Sequence, residues 1–130
     1  MTTSCPVLAW LAVAAGGAIG SLARWQLGQL VQASGPGLRF PVATLLVNLL
    51  GCLAIGTLAG LFERSWAGND PMRLLLFTGL LGGFTTFSAF GLETIELLRR
   101  GAPLMAASYI AASVLGGLVA VWLGLTVART

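Results

Sequence analysis

The stretch MRLLLFTGLLGGFTTFSAFGLETIELL, residues 72–98, decides the fold. It is apolar at its start, and it exceeds the length a helix needs to cross a hydrocarbon core of about 30 Å at about 1.5 Å per residue. Its middle resists that reading. GGFTTFSAF, from Gly82 to Phe90, packs two adjacent glycines, two threonines, a serine and three phenylalanines together. Gly82 and Gly83 favour a non-helical excursion. The β-branched Thr85 and Thr86 weaken the helix further. A helix broken inside a bilayer frees backbone carbonyls, which protein, water or an ion must satisfy. Such carbonyls suit a hard alkali cation. Once helix resumes, Phe87 and Phe90 share a face. A phenyl ring has a positive edge, which attracts a small anion, and a negative face, which repels it. Ser88 adds a hydroxyl donor. Two phenylalanines at this spacing are otherwise ordinary packing; the adjoining breaker singles this pair out.

The surrounding sequence gives the break its context. The chain has 130 residues, 57% of them hydrophobic and 8% charged. A soluble domain carries about 25% charged residues, so the bilayer is the expected solvent. Four spans are expected, Val7–Val31, Val42–Phe62, Met72–Leu98 and Leu104–Ala128, in a single domain covering 1–130. The fold class is therefore all-α and integral to the membrane, with the third helix broken near 82–86. MTTSCP at the N-terminus has no positive charge, and the apolar run continues past AVA at 12–14, so the first segment reads as a retained span rather than a signal peptide.

Histidine and lysine are absent, which removes most routes to a transition-metal site, a Schiff base or a histidine base. No nucleophile stands paired with a base, so an enzyme is not expected. Cys5 and Cys52 make no disulfide framework and read as small apolar residues. The net charge of +3 comes from arginines at span ends without any basic run, so lipid headgroups rather than nucleic acid are the expected partners.

Arg64, Arg73 and Arg129 fall on one side of the membrane, and Arg39, Arg99 and Arg100 on the other. Most membrane proteins show a bias. The balance has two readings: copies insert both ways and pair antiparallel, or the count is a coincidence among few charges. Small-xxx-small spacings at Gly16/Gly20, Gly56/Gly60, Gly79/Gly83 and Ser113/Gly117 permit close helix approach and are compatible with a homodimer.

Several polar residues lie within the spans. Arg24 is either an electropositive group at an anion pathway or a snorkelling side chain near a span end. Thr44 and Asn48 share a face of span two. Asn48 either donates its amide to an anion or glues helices together. Tyr109 and Ser113 repeat that spacing in span four; Ser113 alone could bond its own i−4 carbonyl. Glu93 and Glu96, with Arg100, read as an interfacial salt-bridge face.

Four segments resemble the signatures of the Fluc fluoride channels, also called the CrcB family. GGFTTFSAF is similar to the family's GGxTTFSTF, TLLVNLLG to its TLxVNxxG, GSLARW to its span-one arginine motif, and YIAASVLGG to its span-four tyrosine and serine. They run in the right order from about Gly16 to Gly117. The resemblance implies passive, fluoride-selective export across the cell inner membrane by an antiparallel, dual-topology homodimer with two pores. It implies Phe87 and Phe90 as the pore phenylalanines and Asn48 as the pore asparagine. Ser88, Thr44, Tyr109 and Ser113 would form a polar track, and Arg24 the vestibule arginine. Carbonyls of Gly82 and Thr85 would hold a structural sodium ion at the dimer interface. Two positions depart from the pattern: Ala89 stands where threonine is usual, and Ala43 where glycine is common. Two other classes compete. A small dual-topology drug transporter needs a membrane carboxylate, where span one offers Arg24. A non-transporting assembly subunit explains the spans but not the clustered motif.

Overall fold

The computed structural model describes residues 6–35, 37, 39–63 and 70–129. Cys5, two residues of the first turn (Pro36 and Leu38) and Arg64 in the second loop lie outside the described residues. Among the described residues all regular structure is helical. The first helix is Pro6–Ser34, the second Val42–Phe62 and the fourth Pro103–Arg129. The third span, Pro71–Arg99, has two arms. Its first arm contains an α-helical turn Pro71–Arg73, a π-helical segment Leu74–Leu81 and a further turn Gly82–Phe84. Its second arm is Phe87–Arg99.

Local chemistry sets these boundaries. Proline opens the first helix, the third span and the fourth helix, where its missing N–H costs nothing. Asp70 caps the third span, its carboxylate accepting the Met72 N–H at 2.9 Å. The second arm ends in a left-handed Gly101, φ 73°. There the Ala102 N–H reaches the Leu97 carbonyl and the Gly101 N–H the Leu98 carbonyl, both at 3.0 Å. This double closure turns the chain within three residues and sets the fourth helix beside the second arm.

The second helix packs along the fourth, and the first helix packs on the first arm to a similar extent. Glycine makes both contacts possible. A Cβ on Gly16 or Gly20 would collide with the carbonyl oxygen of Leu75 or Leu80, and one on Gly83 would press on the Gly17 backbone. A Cβ on Gly56 would collide with the Val121 carbonyl oxygen. The small-residue spacings read as compatible with a homodimer are thus consumed inside one chain. Spacing reveals that backbones approach, not whose backbones they are. Gly56→Ala is expected to lower stability by about 1–3 kcal/mol through overpacking. Gly28→Ala, with nothing within 4 Å of its Cβ, is expected to be neutral or mildly stabilising. Thermal unfolding in detergent checks the pair.

Burial is inverted relative to a water-soluble protein. Among the described residues only Ala12, Val47, Leu81, Leu97, Ala106 and Tyr109 are buried hydrophobics, whereas Trp10, Leu22, Leu118 and Val127 point outward. All four spans are long and apolar enough to cross a bilayer, the shortest having 21 residues.

Candidate functional site

The break lies at the threonines, not the glycines. Gly82 and Gly83 stay helical, and Gly83 lays its bare backbone against Gly17 of the first helix, where a Cβ would collide. Thr85 and Thr86 are extended, with ψ of 158° and 119°. Asn48 holds them there. Its Nδ2 donates to the Thr86 carbonyl at 2.9 Å, and its Oδ1 accepts the Thr86 N–H at 2.8 Å. One carboxamide thereby satisfies both backbone groups of an extended residue, as a neighbouring strand would. The hydroxyls complete the joint. Thr85 Oγ1 donates to the Leu81 carbonyl at 2.9 Å, and Thr86 Oγ1 accepts the Ala89 N–H at 3.2 Å, capping the second arm.

Two consequences follow. In a continuous helix the Thr86 N–H would bond the Gly82 carbonyl; with that N–H on Asn48, the carbonyls of Gly82 and Thr85 receive no backbone donor among the described residues. On the other side, the Phe87 and Ser88 N–H groups have no acceptor among the described residues and sit at the positive end of a 13-residue helix. Asn48 is therefore a backbone clamp first. One of its two amide hydrogens remains for another acceptor.

Aromatic rings lead away from the break. The Phe87 and Phe90 centroids are 5.5 Å apart at 42°, and the Phe90 and Tyr109 centroids 5.2 Å apart at 53°. Phe40 meets Tyr109 edge-to-face at 5.5 Å and 82°. Tyr109 is fully buried, and its hydroxyl donates to Glu93 Oε2 at 2.7 Å. Thr44, also buried, donates to Glu93 Oε1 at 2.7 Å. Of the two acids read as an interfacial salt-bridge face, Glu96 pairs so, 3.4 Å from Arg100. Glu93 instead turns inward and takes one hydroxyl on each oxygen. The signal for it was its place one turn after Phe90, on the ring's own face. Phe40 was missed because a turn residue carries no helical periodicity.

A cleft of about 370 Å³ lies against the break, lined by Asn48, Thr86, Phe87, Phe90 and Ser113. Gly82 and Thr85 border it as well. Ser113 Oγ is buried there without a hydrogen-bond partner, so the alternative bond to its own helix is not made. Ser88 is exposed, 3.2 Å from the Thr86 hydroxyl. A second cavity of about 490 Å³, lined by Phe40, Pro41, Ala43 and Glu93, opens at the other end of the Tyr109–Phe90 stack. Arg24 stands apart from this cluster, half-buried on the first helix and without an ion pair among the described residues.

The Glu93 arrangement is testable. Glu93→Ala and Tyr109→Phe are expected to be non-additive, with a coupling of about 1 kcal/mol or more for the shared hydrogen bond. Unfolding of both single variants and the double variant in detergent measures it.

The family profile described as "CrcB-like protein, Camphor Resistance (CrcB)" matches residues 11–125. The chain belongs to the CrcB family. Its curated relatives cover nearly the same length. A Methylobacillus flagellatus protein is 57% identical over 112 residues, 86% of this chain and 88% of its own. A Rhizobium etli protein is 49% identical over 120 residues, covering 92% of this chain and 94% of its own. One from Erythrobacter litoralis is 47% identical over 133 residues, 99% of this chain and 98% of its own. Each relative is named "Fluoride-specific ion channel FluC". The family match and the four spans make the chain a multi-pass membrane protein.

Proposed function

We propose that the chain is a fluoride-selective channel that lets fluoride leave the cell passively, protecting it from fluoride toxicity. One observation carries this reading: phenylalanine rings, an orphaned serine hydroxyl and a clamped helix break line one cleft in a family whose relatives are named fluoride channels.

The chemistry suits a small, strongly hydrated anion. The Ser113 hydroxyl and the spare Asn48 amide hydrogen border the cleft, and the Phe87 and Ser88 N–H groups begin the second arm beside it. Each is a neutral donor, so together they replace hydration water without a deep cationic well, as conduction requires. The rings of Phe87 and Phe90 exclude water around these donors and offer positive edges. Thr44 and Tyr109 continue the polar line toward the cavity at Phe40, each giving its one hydroxyl hydrogen to Glu93, which fixes both side chains in place. Ala89 removes one hydroxyl found in the family pattern, while its N–H is already taken by Thr86. Ala43 lines the outer cavity and narrows it relative to glycine.

The functional unit in this reading is an antiparallel homodimer with two pores in the cell inner membrane. Phe87 is 82% exposed in the single chain, and Gly82 is exposed beside it, although both border the cleft. A second copy would close that side. The balanced arginines agree with opposite insertion. The free carbonyls of Gly82 and Thr85 suit a sodium ion, being neutral, hard oxygen donors on the exposed side. Bound there, sodium would supply positive charge where two broken helices meet. Arg24 would serve as the electropositive group of a vestibule. The physical motive for export is acid trapping: neutral HF enters, dissociates in the less acidic cytoplasm, and leaves fluoride to be driven out by a potential negative inside.

One observation favours a second reading. Glu93 is an inward carboxylate of the kind that a proton-driven exporter of lipophilic cations requires. One experiment separates the two. Purified protein in liposomes, with valinomycin and potassium to balance charge, is expected to release fluoride quickly and chloride negligibly. Proton-dependent uptake of a lipophilic cation with no fluoride release would reverse the order of the readings.

A further inference from the structure

Phe77 lies between two cavities. The residue lines the central cleft with Asn48, Phe90 and Ser113, and also a smaller cavity of about 250 Å³ shared with Glu63 and Arg73. That smaller cavity lies at the membrane face where the second helix ends and the third span begins, opposite the cavity at Phe40. The Arg73 guanidinium carbon sits 5.7 Å from the Phe77 ring centroid. Glu63, the acid in this cavity, is engaged by Arg129 at 2.6 Å. Arg73 has no ion-pair partner among the described residues, so its charge stays available at the mouth.

We propose that the anion pathway continues from the central cleft past Phe77 to this face, with Phe77 as the partition and Arg73 as the cation that gathers fluoride at the opening. The inference rests on the channel reading and adds its second mouth. An aromatic face repels an anion, but a guanidinium over that face offsets the repulsion. A cation beside a narrow, low-dielectric opening raises the local anion concentration and hence the rate of capture. The phenyl ring itself keeps the cleft closed to larger species.

The test is fluoride efflux from liposomes bearing the wild type, Phe77→Trp, Phe77→Leu or Arg73→Gln, each verified as monodisperse in detergent. Phe77→Trp is expected to slow efflux about 10-fold by filling the partition, a barrier increase of about 1.4 kcal/mol. Phe77→Leu is expected to stay within about 2-fold of wild type, because a similar volume is retained. Arg73→Gln is expected to slow efflux about 3-fold or more near 0.01 M salt and to match wild type near 1 M, where the Debye length shrinks to about 3 Å. Wild-type efflux in all three variants at both salt concentrations would overturn the partition while leaving the channel intact. A loss in Arg73→Gln that ignores salt would overturn the gathering role. Absence of efflux in the wild type would instead strike the channel reading itself. Should Phe77→Trp not fold, the salt dependence of Arg73→Gln decides alone.

Discussion

Phe90→Ile is expected to slow fluoride efflux by roughly 100-fold, about 2.7 kcal/mol of added barrier, without loss of the folded protein. Isoleucine keeps apolar bulk but has neither ring edge nor quadrupole, so a dehydrated anion meets hydrocarbon at that step. Phe90 is the ring to choose first. It touches Phe87 on one side and Tyr109 on the other, so its ring joins the break to the Glu93 hydroxyl cluster. Phe87→Ile is expected to act in the same direction, and efflux measured beside thermal unfolding separates a blocked pathway from a weakened fold. Wild-type efflux in both variants would remove the rings from the pathway.

The second large effect is expected at Asn48. Asn48→Asp keeps an acceptor for the Thr86 N–H but sets a second oxygen against the Thr86 carbonyl, where Nδ2 now donates. That exchange turns an attraction into a repulsion and places a charge beside the anion route. Both efflux and stability are expected to fall, stability by about 2 kcal/mol or more from the lost bond and the unsatisfied carbonyl. Asn48→Ala separates the two effects. It removes both bonds to Thr86 but adds no charge, so its stability loss should be comparable while its efflux defect reflects the released break and the lost amide donor without an added repulsion. Liposome flux and unfolding on the same preparations check this. A stable Asn48→Ala protein would mean that the extended threonines hold themselves.

Much of this architecture was legible in the residues. Apolar runs marked the spans, and GGFTTFSAF marked where the third would fail. The polar residues Thr44, Asn48, Tyr109 and Ser113 were found from their unlikely chemistry inside a membrane. What could not be read was who satisfies whom. The break moved from glycine to threonine because its hydrogen-bond partner, Asn48, comes from 38 residues away. Glu93 reads as part of an interfacial salt-bridge face because it lies near a helix end, yet its donors Thr44 and Tyr109 arrive from 49 and 16 residues away. The glycine spacings announced contact but not the contacting chain. In each case local propensity was read correctly, and a tertiary partner chose between the conformations it allowed.

The extended pair Thr85–Thr86 also resets angular phase. At about 100° per residue, an unbroken helix would carry Gly79, Gly83, Phe90 and Leu97 within about 40° of one another, along a single stripe. That stripe would have to serve two masters. Its glycines require the bare backbone of the first helix, while Phe90 and Leu97 belong against Tyr109 on the fourth. The first helix makes contact with the first arm and none with the second. Two non-helical residues thus act as a rotary coupling between half-helices. They let one span dock by its smallest side chains in one direction and aim its largest in another, so the rings can vary without disturbing the seam that anchors them.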